Sequence, residues 1–166
     1  RDLVLFIMYT GCRRNEAQTL KWENVDIKKG LFVFKDPKNG DDHLLPMGDH
    51  LFEIIKQRYE LIRNEYVFPG SNIASEAKHI SGAQGLLKTI AEQTGIHISL
   101  HDLRRTFATI CNNLDYGPYT IKRLLNHRSG AKNDVTGGYV QVSLKKLRLA
   151  MNDIEAVYQG KLNCFD

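Results

Sequence analysis

The sequence predicts an α+β fold that is mainly α-helical, with one small three-stranded antiparallel sheet. Most segments place apolar residues three and four apart, the spacing that lines one face of a helix. Between Trp22 and Met47 that spacing gives way to short apolar runs, separated by Lys28-Lys29-Gly30 and Lys38-Asn39-Gly40-Asp41-Asp42. Asn-Gly is the strongest short hairpin signal. Size adds a bound: 166 residues are enough for one domain with a real core and few for two.

Taken in order, Leu3 to Tyr9 reads as a buried helix stopped by Thr10-Gly11. A second helix follows from Arg13 to about Leu20, with Ala17 and Leu20 inward. Val25 to Ile27, Leu31 to Phe34 and His43 to Met47 are the expected strands, a meander carrying Lys35 and Lys38 at one end. His50 to about Tyr66 is an amphipathic helix with Leu51, Ile54, Ile55, Tyr59 and Ile62 as its apolar positions; the polar run from Ser71 to Ser81 reads as loop. Gly85 to Thr94 is a helix ended by Gly95, and Leu100 to about Leu114 is the next. Pro118 suits the first turn of a helix that ends at Asn126-His127. After the glycine-rich stretch from Arg128 to Gly138, a last helix runs from Ser143 to about Tyr158. It is unusually apolar for a final helix, so it is expected to dock on its own domain or on a neighbouring protomer.

Composition is that of an ordinary globular protein, with 42% hydrophobic and 25% charged residues. The net charge of +4 and pI near 8.9 are compatible with nucleic acid without establishing it. Cys12, Cys111 and Cys164 lack metal-ligand spacing and read as free thiols of a reducing compartment. No apolar run is long enough to cross a bilayer. Arg1 lies immediately inside a helical pattern, so the chain is expected to be a piece of a longer protein.

Chemistry concentrates in Leu100-His101-Asp102-Leu103-Arg104-Arg105-Thr106-Phe107. On a helix, His101 and Arg104 stand at i and i+3 and are expected to share a face. A guanidinium offers a planar fork of donors to phosphate oxygens, and an imidazole adds a donor that can exchange a proton. Alone, this stretch fits an amphipathic helix with a decorated polar face equally well. Arg13 and Arg14 stand where a helix begins, a placement that opposes its dipole and suits a bound anion. Glu16 is placed either to fix Arg13 or simply to occupy the first turn.

In sequence order these residues resemble the catalytic domain of tyrosine recombinases, the phage integrase family, over almost the whole chain. Thr10-Gly11-Cys12-Arg13-Arg14-Asn15-Glu16 is similar to the family's first-arginine box, with Arg13 as its arginine. Lys38 matches the β-hairpin lysine, with Lys35 as the alternative. His101-Asp102-Leu103-Arg104 resembles the H-x-x-R box, and Leu124-Leu125-Asn126-His127 the L-G-H box with Asn in place of Gly. Tyr139 falls where the nucleophilic tyrosine stands, although the spacing from His127 is longer than the commonest one.

The resemblance implies a DNA breaking-rejoining fold and a catalytic domain over residues 1–166, without the family's N-terminal DNA-binding domain. It implies a catalytic set of Arg13, Lys38, His101, Arg104, His127 and Tyr139, with no cofactor and no metal. Tyr139 attacks a DNA phosphodiester, both arginines and His127 meet the charge on the non-bridging oxygens, His101 assists at the tyrosine, and Lys38 protonates the leaving 5′-oxygen. The implied partners are double-stranded DNA and further copies of the protein, a tetramer in the synapse and a monomer for this piece alone. The implied setting is the bacterial cytoplasm or nucleoid, away from membranes. The alternatives are a type IB topoisomerase-like nick-and-reseal enzyme and a DNA-binding module without catalysis. A metal-dependent nuclease is disfavoured, because no His and Asp pairs recur at ligand spacing.

Overall fold

Helix α1 (Asp2–Thr10) buries Leu3, Val4, Phe6, Ile7 and Tyr9, and a helix apolar on most sides belongs inside a core. It belongs to a computed structural model that describes residues 1–35, 42–70, 78–127 and 141–165. Gly11 ends α1 in the left-handed region at φ 61°, its N–H returning to the Ile7 carbonyl at 2.8 Å. A Cβ there would stand 2.5 Å from the Phe107 ring, so the end of α1 is pressed directly onto α5 (Leu100–Asn113). Helix α2 (Arg14–Gln18) follows, with Ala17 and Leu20 buried as their spacing predicts.

Strands β1 (Val25–Asp26), β2 (Leu31–Phe34) and β3 (His43–Pro46) form the expected antiparallel meander in the order β1-β2-β3. Val25 pairs with Phe32 in the first ladder. The second runs from Leu31 opposite Pro46 to Phe34 opposite His43. Alternation sends Phe32, Phe34 and Leu45 inward. Phe6 of α1 meets Phe32, Phe34 and Phe68 at ring separations of 5.2, 6.3 and 5.3 Å, joining sheet and helices in one core.

Helix α3 (Asp49–Tyr59) stops short of the predicted end near Tyr66. Arg58, Glu60, Arg63 and Asn64 interrupt the apolar period, and Leu61 and Ile62 are exposed. The Asn64 side chain accepts from the Tyr66 N–H at 2.9 Å, a local bond that competes with helix. The chain then turns back, and Val67 donates to the Leu20 carbonyl at 2.9 Å.

Helix α4 (Gln84–Thr94) lies on the surface with no fully buried residue. Helix α6 (Pro118–Leu125) begins on Pro118 and ends at Asn126, which adopts the left-handed conformation at φ 50°. Helix α7 (Leu144–Tyr158) resolves the question of the apolar last helix. Leu147, Ala150, Met151 and Ile154 are buried in the chain's own core. Arg148 donates to the Met47 carbonyl at 2.9 Å, and the Glu155 carboxylate accepts from the His50 and Leu51 amides at 2.8 and 3.0 Å. It docks in cis.

Candidate active site

The first turn of α5 is set by Ser99. Its Oγ accepts from the Asp102 amide at 3.2 Å while the Asp102 carboxylate accepts from the Ser99 amide at 2.9 Å, a reciprocal cap. Those bonds hold the Asp102 carboxyl below its usual range. With the start of the helix fixed, Leu103, Phe107, Ile110 and Cys111 turn toward the core, and Arg104 goes in with them. Arg104 is only 8% exposed. His101, three residues earlier, is exposed and lines an open groove with Arg14, Leu87 and Ile98. The pair expected from the spacing differs in burial: Arg104 is buried and His101 is exposed.

Two helix ends supply the reason Arg104 can be buried. Its Nη1 donates to the Gly11 carbonyl at 2.5 Å and its Nη2 to the Leu125 carbonyl at 2.7 Å. Gly11 caps α1 and Leu125 is the last residue of α6, so both acceptors lie at the negative ends of helices. The guanidinium thus joins three helices and keeps further N–H donors beyond these two bonds. Burial, and then the neighbouring Arg13 charge, lower its pKa, with Glu16 opposing.

Arg13 stands at the N-terminal cap of α2 with its side chain half exposed. Glu16 holds it twice: its Oε2 accepts from the Arg13 amide at 2.7 Å and its Oε1 from Nη1 at 2.9 Å. Of the two roles open to Glu16 in the sequence, it performs the fixing one. His127 follows Asn126, its N–H returning to the Lys122 carbonyl at 3.0 Å. Its pKa is lowered first by burial and then by the positive charges of Arg104 and Arg13. Arg13, Arg104 and His127 therefore feel one another, and together they form a locally positive cluster at the junction of α2, α5 and α6.

Lys38 and Tyr139 lie outside the described residues. Lys35, the alternative lysine, is exposed and paired with Asp42 at the base of the hairpin. Cys12, between Gly11 and Arg13, is buried, and burial pushes its thiol up to about 12, where it is inert.

One residue of this region was not singled out by the sequence. His43, read simply as the start of a strand, is 3% exposed, and its Nε2 donates to the Arg123 carbonyl at 2.6 Å. Burial, its largest cause, brings its pKa down to about 4. The available signal was a histidine opening an otherwise apolar strand, which is too common a pattern to stand out.

A profile described as the phage integrase family matches residues 1–146. The tyrosine recombinase XerA of Pyrococcus furiosus is 29% identical over 154 residues, which cover 91% of this chain and 53% of that protein. Among solved structures, the integrase of mycobacterium phage Brujita superposes with a TM-score of 0.68 at 22% identity, covering 92% of this chain and 50% of the other. The Tn1549 transposon integrase, solved in complex with a circular intermediate DNA, gives a TM-score of 0.66 at 14% identity, covering 90% of this chain and 57% of that one. The chain spans about half the length of the curated XerA relatives it matches.

Proposed function

The chain belongs to the phage integrase family, and we propose that it forms the catalytic part of a tyrosine-type site-specific DNA recombinase serving a phage or other mobile element. The observation that carries this reading is the cluster of Arg13, Arg104 and His127. Arg13 acts on Arg104, and both act on His127, while the carboxylate that acts on Arg104, among the described residues, is Glu16. A phosphodiester brings the negative charge that this cluster lacks, and its non-bridging oxygens gain charge during transfer.

The Tyr139 oxygen attacks phosphorus while the bond to the 5′-oxygen breaks. The phenolic proton passes toward His101, and Lys38 gives a proton to the departing 5′-oxygen. The 3′-phosphotyrosyl bond conserves the energy of the broken one, so the 5′-hydroxyl of a partner strand reverses the step without ATP. The described tyrosines near the core suit this task poorly. The Tyr116 hydroxyl donates to Asp153, and Tyr158 is half-buried with its hydroxyl inside and its pKa pushed up by burial. Double-stranded DNA is the substrate, other copies of the protein are partners in the synapse, and the cytoplasm or nucleoid is the setting. Among the described residues no helix is long and apolar enough to cross a membrane.

A nicked duplex that loses a short strand on cleavage traps the covalent adduct. The wild-type chain is expected to give an adduct whose peptide map ends on Tyr139, and Tyr139→Phe none, with DNA binding retained. An adduct persisting in Tyr139→Phe would refute the assignment. Lys38→Ala is expected to recover on DNA with sulfur at the 5′-bridging position, because a thiolate leaves without a proton. Recovery of Lys35→Ala instead would move the acid to Lys35.

A further inference from the structure

We propose that His43 is a positioning residue for the active site, holding the end of α6 so that His127 stands beside Arg104 and Arg13. This rests on reading His127 as part of the site, and goes beyond it by naming what aims it. The last carbonyls of a helix have no partner within the helix. In α6 the Lys122 carbonyl is met by the amides of Asn126 and His127. The Arg123 carbonyl is met by His43 and the Leu125 carbonyl by Arg104. Two side chains, one from β3 and one from α5, thus grip the same terminal turn immediately before His127.

The grip from β3 has a second bond. Arg123 Nη2 donates to the Leu44 carbonyl at 3.2 Å, so residues 43 and 44 exchange hydrogen bonds with Arg123 in both directions. His43 is also the last paired residue of the β2–β3 ladder, opposite Phe34, whose ring lies 6.1 Å away. Leucine would pack in that setting. Histidine instead leaves Nδ1 buried without a hydrogen-bond partner among the described residues, a cost that an apolar side chain would avoid. What histidine adds is one directed bond. The charged groups that act on it are Arg123 of α6, Glu16 of α2 and Arg104 of α5, the last two being neighbours of Arg13 as well. Among the described residues, His43 reaches the site through the Arg123 carbonyl, a part of its scaffold.

The test reads His127 directly in the folded, DNA-free chain. Its imidazole titration is followed by NMR in the wild type, His43→Leu and His43→Gln, and cleavage of the nicked duplex is measured alongside. His43→Leu is expected to let the α6 terminus drift from Arg104 and Arg13, raising the His127 pKa toward the ordinary histidine value. Cleavage is expected to fall by about 10²-fold, the cost of a misplacement near 1 Å. Glutamine keeps an N–H able to reach the Arg123 carbonyl, so His43→Gln is expected to retain the wild-type titration and most of the rate. A His127 titration unmoved in His43→Leu overturns the proposal, as does an equal shift in both variants. If His43→Leu does not fold, Arg123→Met takes its place; it keeps the carbonyl that His43 meets and loses the reciprocal bond to Leu44 together with the Arg123 charge. The same upward shift is expected there, and no shift overturns the proposal. Because the titration needs no DNA, its outcome stands apart from whether the chain cleaves DNA at all.

Discussion

Arg104 of α5 and Glu155 of α7 solve the same problem with opposite charge. Each is a buried charge that pays for its burial by capping helices. Arg104 donates to carbonyls at the C-terminal ends of α1 and α6, and Glu155 accepts from the amides that open α3. Each therefore sits at the helix pole of opposite charge. Their surroundings differ. Glu155 turns both oxygens to backbone donors, and Gly48 closes over it so tightly that a Cβ would stand 2.4 Å from its carboxyl carbon. Its pKa is raised, burial being the largest cause. Arg104 has a second cation nearby, a histidine whose pKa burial and then both cations lower, and more N–H donors than its two bonds among the described residues use. A buried charge whose bonding is complete serves the fold. One that is capped yet keeps a second cation beside it is suited to an incoming anion.

Activity and stability, measured together, separate the two residues. Arg104→Ala is expected to slow DNA cleavage by about 10²–10³, the usual loss for one preorganised donor to developing charge. Glu155→Gln should leave the cleavage rate of the folded protein unchanged while lowering its melting temperature. Equal losses of rate in the two variants would show that both residues act only through the fold.

Gly48 sharpens the structural half of the contrast. Gly48→Ala is expected to cost about 1–3 kcal/mol in chemical denaturation, the usual range for overpacking a closed site, because the carboxyl it meets is held by two amides. In a Glu155→Ala background the same change should cost much less, since the obstructing carboxyl is gone. Additive losses would mean that the Glu155 carboxyl is not what excludes a side chain at Gly48, whose extended backbone at φ −71° any residue can adopt.

The helices and the sheet were legible because their signals are local. The apolar spacing of α1 and α7, the turn at Gly30 and the stop at Gly11 all lie within a few residues of what they determine. The end of α3 was misplaced because Ile62 continues the apolar rhythm past Tyr59, where the helix has already ended. At the site, the order of motifs pointed to Arg13, Arg104 and His127, and the structure gives these three a common electrostatic environment. Sequence could not show that Arg104 would be buried and His101 exposed. That division depends on where the carbonyls of Gly11 and Leu125 fall, and both are distant in sequence. His43 escaped for the same reason: its acceptor is 80 residues away.

The smallest expected effect concerns pH, and it separates His43 from the rest of the chain. An unfolded histidine takes up a proton near 6.5, whereas His43 in the fold does so only at about 4. Between those values the unfolded state binds more protons than the folded one, so stability rises with pH across the window and is lost as pH falls through it. Protonation would put a second N–H on a buried ring with no acceptor for it among the described residues, beside the Arg123 and Arg104 charges. The slope attributable to one such group is at most about 1.4 kcal/mol per pH unit. Other groups titrate in the same range, Glu155 with the opposite sign, so the quantity to measure is the difference between wild type and His43→Gln in denaturant titrations from pH 4 to 7. Glutamine cannot be protonated, and the variant's stability should therefore fall less steeply than the wild type's as pH is lowered. Parallel curves would mean that His43 takes up its proton in the folded protein as readily as in the unfolded chain.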